Sequence, residues 1–251
     1  MEKKQKKSKN KKPLFFRILY SIVKVFVKKY QFVFLEELKN DGATIIVSNH
    51  AQAGGPLAYQ FYYPRKKKIW CIGEVFDKKE FPDYAMKDFW PHKKKSKWVY
   101  KILAHILAPL SQYIFKNADT LPVYRDNRYF TTAKLSVNTL KNNEDIIIMP
   151  EEHIPYNEIV NEFLQNFVSV AKLYQSKEKK NVYFYPSYVC PALKKVLIGK
   201  QILFDTEQDY ETEKRRITDT LKSEITKLAY TLPPHRVVPY ENITKKNYPH
   251  T

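Results

Sequence analysis

The chain has 251 residues, 43% of them apolar and 15% aromatic, which is enough to bury one sizeable core. Its net charge of +18 at pH 7 indicates an anionic partner, such as a lipid surface, a nucleic acid or an anionic substrate. Cys71 and Cys190 stand far apart in apolar runs, and neither the cysteines nor the histidines have metal-ligand spacing. These features exclude a disulfide framework, and we expect two buried thiols and no metal.

The first 34 residues combine a lysine-rich tail with an apolar segment. Residues 1–12 hold seven lysines and one glutamate, so a disordered basic tail is expected. In residues 13–34, Arg17, Lys24 and Lys28 interrupt the apolar run, which argues against a signal peptide. The uncharged stretches between these residues are also too short for a transmembrane span. With Ser21, these residues would form one polar stripe on an otherwise apolar helix.

Such a stripe is typical of an amphipathic helix that lies in a membrane interface. The lysine tail would add attraction to anionic lipid of about 1 kcal/mol for each basic residue near the surface. We therefore expect peripheral association with the cytoplasmic face of the cell membrane. A buried helix with a solvated basic edge is the alternative, and the tail alone would also serve solubility or weak RNA binding.

Strand-like apolar runs alternate along the rest of the chain with stretches of helical spacing. The predicted strands are 43–48, 68–74, 120–125, 144–152, 181–190 and 195–204, and the last two form a hairpin. The predicted helices are 98–115, 129–143, 161–174 and 211–231, and Pro109 should kink or divide the first of them. This alternation predicts an α/β fold with a largely parallel central sheet flanked by helices over residues 35–232, followed by an extended tail over 233–251.

Polar clusters follow three of the predicted strands. They are Asn49 and His50, the sequence YRD over residues 124–126, and the sequence PEEH over residues 150–153. Ligands of parallel sheets bind beyond the carboxyl ends of the strands. The three clusters should therefore converge on one site.

The order of these clusters resembles the glycerolipid acyltransferases of the 1-acylglycerol-3-phosphate acyltransferase type. That family carries NHxxxxD, a motif ending in a phosphate-binding arginine, FPEGTRS, and an apolar proline-bearing strand. Here the series reads NHAQAGG, TLPVYRDN, MPEEHIP and VYFYPSYVCP, and the resemblance covers about residues 32–204. It implies transfer of a fatty acyl group from acyl-CoA or acyl-carrier protein to a lysophospholipid-like alcohol, without a metal or other cofactor.

The resemblance also implies roles for individual residues. His50 matches the general base that deprotonates the acceptor hydroxyl. Arg125 matches the arginine that binds the acceptor's phosphate. Pro150 and Glu151 match the proline and glutamate of the third motif.

Three positions depart from the family's pattern. Gly55 replaces the aspartate that orients the histidine, and loss of the equivalent partner in a serine-protease triad lowers turnover by about 10⁴-fold. Glu152 and His153 replace a glycine and a threonine. Ile154 stands where the second arginine should be, which removes a bidentate phosphate contact.

Other groups are candidates to replace the missing ones. Glu151, Glu152 or Glu74 would supply a carboxylate to the His50 ring, and Gln52 would orient it by hydrogen bonding alone. Lys93 to Lys95 and Arg128 are the candidate replacement cations. We expect Asn49, Gly54, Gly55 and Arg125 to bind substrate, the two glycines by close approach and through backbone N–H groups at the start of a helix that Pro56 would open.

Two further hypotheses remain open. Gly55 and Ile154 together fit an inactive acyltransferase fold that binds lipid or acyl-carrier protein. RNA binding through the basic surface is disfavoured, because the chain lacks RNA-binding motifs and its charge adjoins an apolar helix. Arg125 has a simpler alternative role as an ion-pair partner of Asp126.

Overall fold

The computed structural model of the chain describes residues 12–90, 97–152, 159–241 and 243–251. Its strands are β1 (Gln31–Phe34), β2 (Ala43–Ser48), β3 (Lys67–Ile72), β4 (Thr120–Val123), β5 (Asp145–Ile148), β6 (Val182–Cys190), β7 (Lys195–Ile198) and β8 (Ile202–Leu203). Its helices are α1 (Leu14–Phe26), α2 (Gly54–Tyr62), α3 (Phe81–Asp88), α4 (Lys97–Asn117), α5 (Tyr129–Lys141), α6 (Ser169–Glu178) and α7 (Tyr210–Tyr230). Short 3₁₀ helices lie at Gly73–Phe76, Gln165–Val168 and Lys245–Asn247.

The strands form one sheet in the order β1-β7-β6-β2-β5-β3-β4, with β8 also paired to β6. Every neighbouring pair is parallel except β6 with β7 and β6 with β8. The prediction of a largely parallel α/β sheet with a terminal hairpin is therefore confirmed. The carboxyl ends of β2, β5, β3 and β4 lie side by side at one edge of the sheet.

Helices cover both faces of the sheet, so the central strands β2, β5 and β6 are buried at every residue. Apolar side chains of α5, α6 and α7 share one core cluster with one set of strand residues. Those of α2 share a second cluster with the alternate strand residues, which point to the opposite face. A third cluster joins α3, α4 and the Gly73–Phe76 turn.

The helix predicted over residues 13–34 is shorter than expected. It ends at Phe26, and Gln31–Phe34 is the edge strand β1, which pairs with β7. Phe32 packs edge-on against Tyr59 and Tyr63 of the helix layer, with ring centroids 5.4 and 5.6 Å apart. The sheet thus gives this aromatic run a surface to pack on, and tertiary packing overrides its helical spacing.

The helix α4 continues through Pro109, so this proline does not divide it, and the alternative expectation of a kink stays a prediction. Its buried face includes Ala104 and Ala108. The Ser111 hydroxyl donates to the Val75 carbonyl at 3.0 Å, and the Gln112 amide donates to the Phe76 carbonyl at 2.9 Å. These tertiary contacts outweigh the local cost of a proline inside a helix.

The residues after β5 also depart from expectation. Phe163 forms an antiparallel bridge with Glu151, and the Leu164 N–H donates to the Pro150 carbonyl at 2.9 Å. Residues 161–164 are therefore extended, and the helix predicted over 161–174 begins only with the 3₁₀ turn at Gln165–Val168. This extended segment brings a backbone N–H beside the Glu151 carboxylate.

The C-terminal residues pack onto the fold. We call the described residues of 235–251 the C-terminal strap. Val237 is buried, and its N–H donates to the Pro249 carbonyl at 2.8 Å. The His235 Nε2 lies 2.8 Å from the Tyr188 hydroxyl of β6. The strap therefore folds back on itself and is fixed to the central sheet.

Both cysteines are free; Cys190 is buried and Cys71 is partly buried. Residues 1–11 of the predicted basic tail lie outside the described residues, whereas Lys12 pairs with Asp119 at 2.7 Å. Among the described helices, none combines the length and apolar character needed to cross a membrane.

Candidate functional site

His50 begins a tight turn between β2 and α2. Ala51 and Gln52 both have left-handed backbone conformations, with φ of 48° and 52°. The Gly54 N–H donates to the Ala51 carbonyl at 3.0 Å, and the Gly55 N–H donates to the His50 carbonyl at 3.2 Å. Two consecutive left-handed residues with side chains cost about 1–2 kcal/mol each, so the surrounding structure must hold this turn in place.

Gly55 is required by the shape of this turn. A Cβ at Gly55 would lie 2.4 Å from the His50 carbonyl oxygen, whereas at Gly54 its nearest neighbour would be the Pro191 ring at 3.0 Å. An aspartate side chain at position 55 is therefore incompatible with this backbone. The same hydrogen bonds occupy the N–H groups of both glycines, which corrects the expectation that these groups hold an anion. Pro56 is the third residue of α2 and not its first.

Asn49 fixes the start of the turn to β6. Its Oδ1 accepts the Val189 N–H at 2.7 Å, and its Nδ2 donates to the Val189 carbonyl at 3.1 Å. The side chain is buried, and both ends of its amide are used by the backbone of one residue. The expected substrate contact is thus replaced by a structural one.

Glu151 lies beneath the turn, as the pairing of β2 with β5 requires. Its Oε1 accepts the backbone N–H of His50 at 2.6 Å, and its Oε2 accepts that of Asn161 at 3.3 Å. The residue is only 4% exposed, and burial raises the pKa of its carboxyl to about 7, although the two N–H donors oppose the rise. The contact between Glu151 and His50 therefore passes through the His50 backbone.

Glu152 contributes backbone contacts to the same region. Its N–H donates to the Glu162 carbonyl at 2.9 Å, and its carbonyl accepts from the Asn161 side-chain amide at 2.5 Å. The predictions about His153 and Ile154 lie outside the described residues, as does that about Lys93 to Lys95. The role expected for the Glu152 carboxylate at the His50 ring stays a prediction.

Arg125 follows β4 and is exposed, and no ion pair joins it to another residue that the structure describes. The alternative in which it pairs with Asp126 is wrong, because Asp126 is bound by Arg128 at 2.8 Å. Arg128 also bonds Glu80 at 2.8 Å, and its guanidinium lies 4.2 Å from the centre of the Tyr124 ring. Arg128 is therefore already paired, while Arg125 remains the cation expected to meet an anionic ligand.

Tyr240 of the C-terminal strap is the site residue that sequence reasoning missed. Its ring centroid lies 5.0 Å from that of His50, at an interplanar angle of 60°. Burial raises the pKa of its hydroxyl, with further contributions from Asp88 and Glu151, while Arg125 lowers it. The Tyr240 hydroxyl is therefore within electrostatic reach of the groups that follow β5 and β4.

Gln52 secures the strap instead of serving the His50 ring. Its Nε2 donates to the Glu241 carbonyl at 3.0 Å and to the Tyr248 hydroxyl at 2.9 Å. The sequence did carry one signal for the strap. Val237 and Val238 form an apolar pair within a polar, proline-bearing tail, and they join the cores on opposite faces of the sheet.

A solved structure resembles this chain in the path of its backbone. It is the crystal structure of the 1-acyl-sn-glycerophosphate (LPA) acyltransferase PlsC from Thermotoga maritima, with a TM-score of 0.45, 13% sequence identity, and coverage of 85% of this chain and 78% of that chain. No protein-family model matches the chain, and no curated protein matches it. A likeness at this level leaves the chemistry to be argued from the site residues themselves.

The shape of the turn after β2 predicts that alanine destabilises the fold by different amounts at its two glycines. Gly55→Ala should lower the free energy of unfolding by about 1–3 kcal/mol, because its Cβ meets a backbone oxygen that cannot move away. Gly54→Ala is the matched control and should cost less, since its Cβ meets only the edge of the Pro191 ring. Chemical denaturation of both variants measures the difference. Equal costs would contradict the assigned shape of the turn.

Burial of Glu151 predicts a pH dependence of stability. Its folded-state pKa of about 7 lies above the ordinary value of 4.5, so the folded chain holds the proton more tightly than the unfolded chain. This contribution is complete below about pH 4.5 and is lost as the pH rises through 7, a change of about 3 kcal/mol. Glu151→Gln should remove it.

Denaturation of wild type and Glu151→Gln between pH 4.5 and 8 tests this expectation. Glu152→Gln is the matched control, because its side chain is only half-buried. The stability difference between wild type and Glu151→Gln should change with pH more than the difference for the control does. A pH-independent difference for Glu151→Gln would show that the buried carboxyl does not titrate in this range.

Proposed function

We propose that the protein is a membrane-surface acyltransferase that transfers a fatty acyl group from an acyl thioester to a lysophospholipid-like alcohol. The acyl donor is acyl-CoA or acyl-carrier protein, and the acceptor carries an anionic headgroup. The observation that carries the proposal is the strained turn that places His50 at the carboxyl edge of the sheet, over a buried carboxylate. Left-handed residues with side chains concentrate at functional sites because folding alone does not favour them.

The order of motifs supports this choice of chemistry, because NH, YRD and PEE resemble the acyltransferase series and follow β2, β4 and β5 at one edge of the sheet. His50 takes the proton of the acceptor hydroxyl as its oxygen attacks the thioester carbonyl. The new carbon–oxygen bond forms, the carbon–sulfur bond breaks, and the thiolate leaves with the proton that His50 accepted. Arg125 would hold the anionic headgroup of the acceptor.

The other site residues would position His50. Glu151 holds the His50 backbone through a hydrogen bond of 2.6 Å, and the Tyr240 ring packs against the imidazole. A ring held on one side by packing loses fewer orientations when substrate binds. This support takes the place of the family's aspartate, which the turn at Gly55 does not accommodate.

The membrane association proposed here rests on α1. Its apolar residues Leu14, Ile18 and Ile22 are exposed, while Arg17 and Lys24 lie along a separate polar stripe. We propose peripheral binding to an anionic membrane, at its cytoplasmic face, as the place where the lipid acceptor is met.

The chemistry is tested by offering purified protein acyl-CoA or acyl-carrier protein together with a panel of lysophospholipids. His50→Ala should lower acyl transfer by about 10²-fold or more, the usual worth of a general base. His250→Ala, at an exposed histidine of the C-terminal strap, is the matched control and should transfer acyl groups as wild type does. Absence of transfer from every combination, or full activity in His50→Ala, would end this proposal.

Tyr240 should act as a positioning residue through its ring. Tyr240→Phe keeps the ring against His50 and should retain most of the activity. Tyr240→Ala should lower kcat by about tenfold or more with little change in KM, because a small displacement of a reacting group is costly. Steady-state kinetics on both variants separate the two constants. Equal loss in both variants would assign the role to the hydroxyl instead.

The second candidate function is a catalytically inactive protein that binds lipid or acyl-carrier protein. The turn at Gly55 favours it, because the position of the family's orienting carboxylate holds no side chain. Binding of lysophospholipid or acyl-carrier protein without transfer, unchanged in His50→Ala but weakened in Arg125→Ala, is the outcome that this candidate predicts.

A further inference from the structure

The helix α4 presents a wide apolar stripe to solvent. Trp98 is 69% exposed, Ile102 52% and Ile106 67%. These residues recur every four positions, so they lie on one face, while Ala104, Ala108 and other small or half-buried residues face the protein. An exposed stripe of large apolar side chains on an otherwise packed helix indicates a surface that meets another apolar phase.

The exposed side of α1 continues this stripe. Phe15 is 60% exposed, and its ring lies 5.7 Å from that of Tyr113 on α4. Ile18 and Ile22 are also exposed, whereas Phe16 is buried against the protein. We call these outward residues the α1–α4 surface, and its main members are Phe15, Ile18, Ile22, Trp98, Ile102 and Ile106.

The charge around this surface has one sign. The helix α1 contains Arg17 and Lys24, and α4 contains Lys97, Lys101 and Lys116. Neither helix contains an aspartate or a glutamate, although the chain has 26 acidic residues. A second copy of this chain would place like charges together at such a surface. An anionic bilayer complements both its apolar face and its basic flanks.

The α1–α4 surface is also connected to the His50 site. The inner face of α4 shares a core cluster with Val75, Phe81 and Ala85, which lie in the segment after β3 and in α3. Asp88 at the end of α3 raises the pKa of Tyr240, the residue that packs against His50. The helix α3 thus packs against α4 and has Asp88 within electrostatic reach of Tyr240.

We propose that α4 and α1 together form the membrane-docking surface of this protein, with the apolar side chains of both helices inserted into the interface of an anionic bilayer. This goes beyond docking through α1 alone, and it does not depend on acyl transfer. Trp98 marks the start of α4 within the interface, where tryptophan is favoured. The basic residues beside the apolar stripe meet the anionic headgroups.

Vesicle binding by the full chain tests the proposal. The probe is phosphatidylcholine vesicles with and without phosphatidylglycerol, and wild type should bind the anionic vesicles more tightly. Ile102→Glu and Ile106→Glu should each lower the affinity for the vesicles by about tenfold or more. In each variant an apolar side chain that would enter the bilayer interface is replaced by a negative charge that anionic lipid repels. Phe130→Glu is the matched control, since Phe130 is 72% exposed on α5, in the helix layer of the opposite sheet face, and should bind as wild type does.

Tryptophan fluorescence gives an independent readout of the position of α4. Bromine-labelled acyl chains should quench the fluorescence of the bound wild type, and Trp98→Phe should remove most of that quenching while leaving binding largely intact. Thermal unfolding of the glutamate variants checks that they remain folded, which their exposed positions favour.

Several outcomes would overturn the proposal. They are absence of binding to anionic vesicles, wild-type affinity in both glutamate variants, equal loss in Phe130→Glu, and a wild-type dimer that Ile106→Glu converts to a monomer. Acyl transfer measured with detergent-dispersed substrates separates this proposal from the proposed function. If Ile106→Glu keeps its activity on detergent-dispersed substrates but loses it on vesicles, docking through α4 is supported. If the wild type binds vesicles but transfers no acyl group in either assay, the proposed enzymatic activity is wrong and the docking proposal stands.

Discussion

The Glu151 carboxylate connects separate segments of the chain that lie at the carboxyl edge of the sheet. One oxygen accepts the His50 N–H at the end of β2, and the other accepts the Asn161 N–H from the extended segment after β5. Burial is the main cause of the raised pKa values of Tyr188 in β6 and Tyr240 in the strap, and the Glu151 charge adds to both. The buried Glu151 carboxyl therefore acts on four segments, two through hydrogen bonds and two through its charge, and the candidate site lies around it. The two N–H donors offset part of the cost of burying its charge.

Gly55 is explained by the shape of the turn that contains it. The turn after His50 closes through a hydrogen bond from the Gly55 N–H to the His50 carbonyl. That closure removes the space for any side chain at position 55. An aspartate at this position would therefore disturb the turn. Among the residues that the structure describes, Tyr240, which is distant in sequence, supports the His50 ring through a ring contact.

The sequence predicted the features that depend on regular patterns. The alternation of apolar strands with helices predicted the parallel sheet. The rule that ligands bind at the carboxyl ends of parallel strands predicted that Glu151 and His50 lie close together. It failed where tertiary contacts override local preference. Gln31–Phe34 carries helical spacing but pairs with β7, and Pro109 lies inside a helix that packing onto the Gly73–Phe76 turn holds together. Tyr240 was missed because its segment has no periodicity, and the strap is held at the neighbouring Glu241 by a hydrogen bond from Gln52, 189 residues earlier in the chain.

The strap also bears on the order in which the protein takes shape during synthesis. The turn at His50 leaves the ribosome early, yet the Gln52 contact with Tyr248 spans 196 residues, and the Tyr240 ring arrives almost as late. Contacts of such long separation close only after the intervening sheet has formed. A nascent chain would therefore form most of its sheet before the Tyr240 ring can pack against the His50 imidazole.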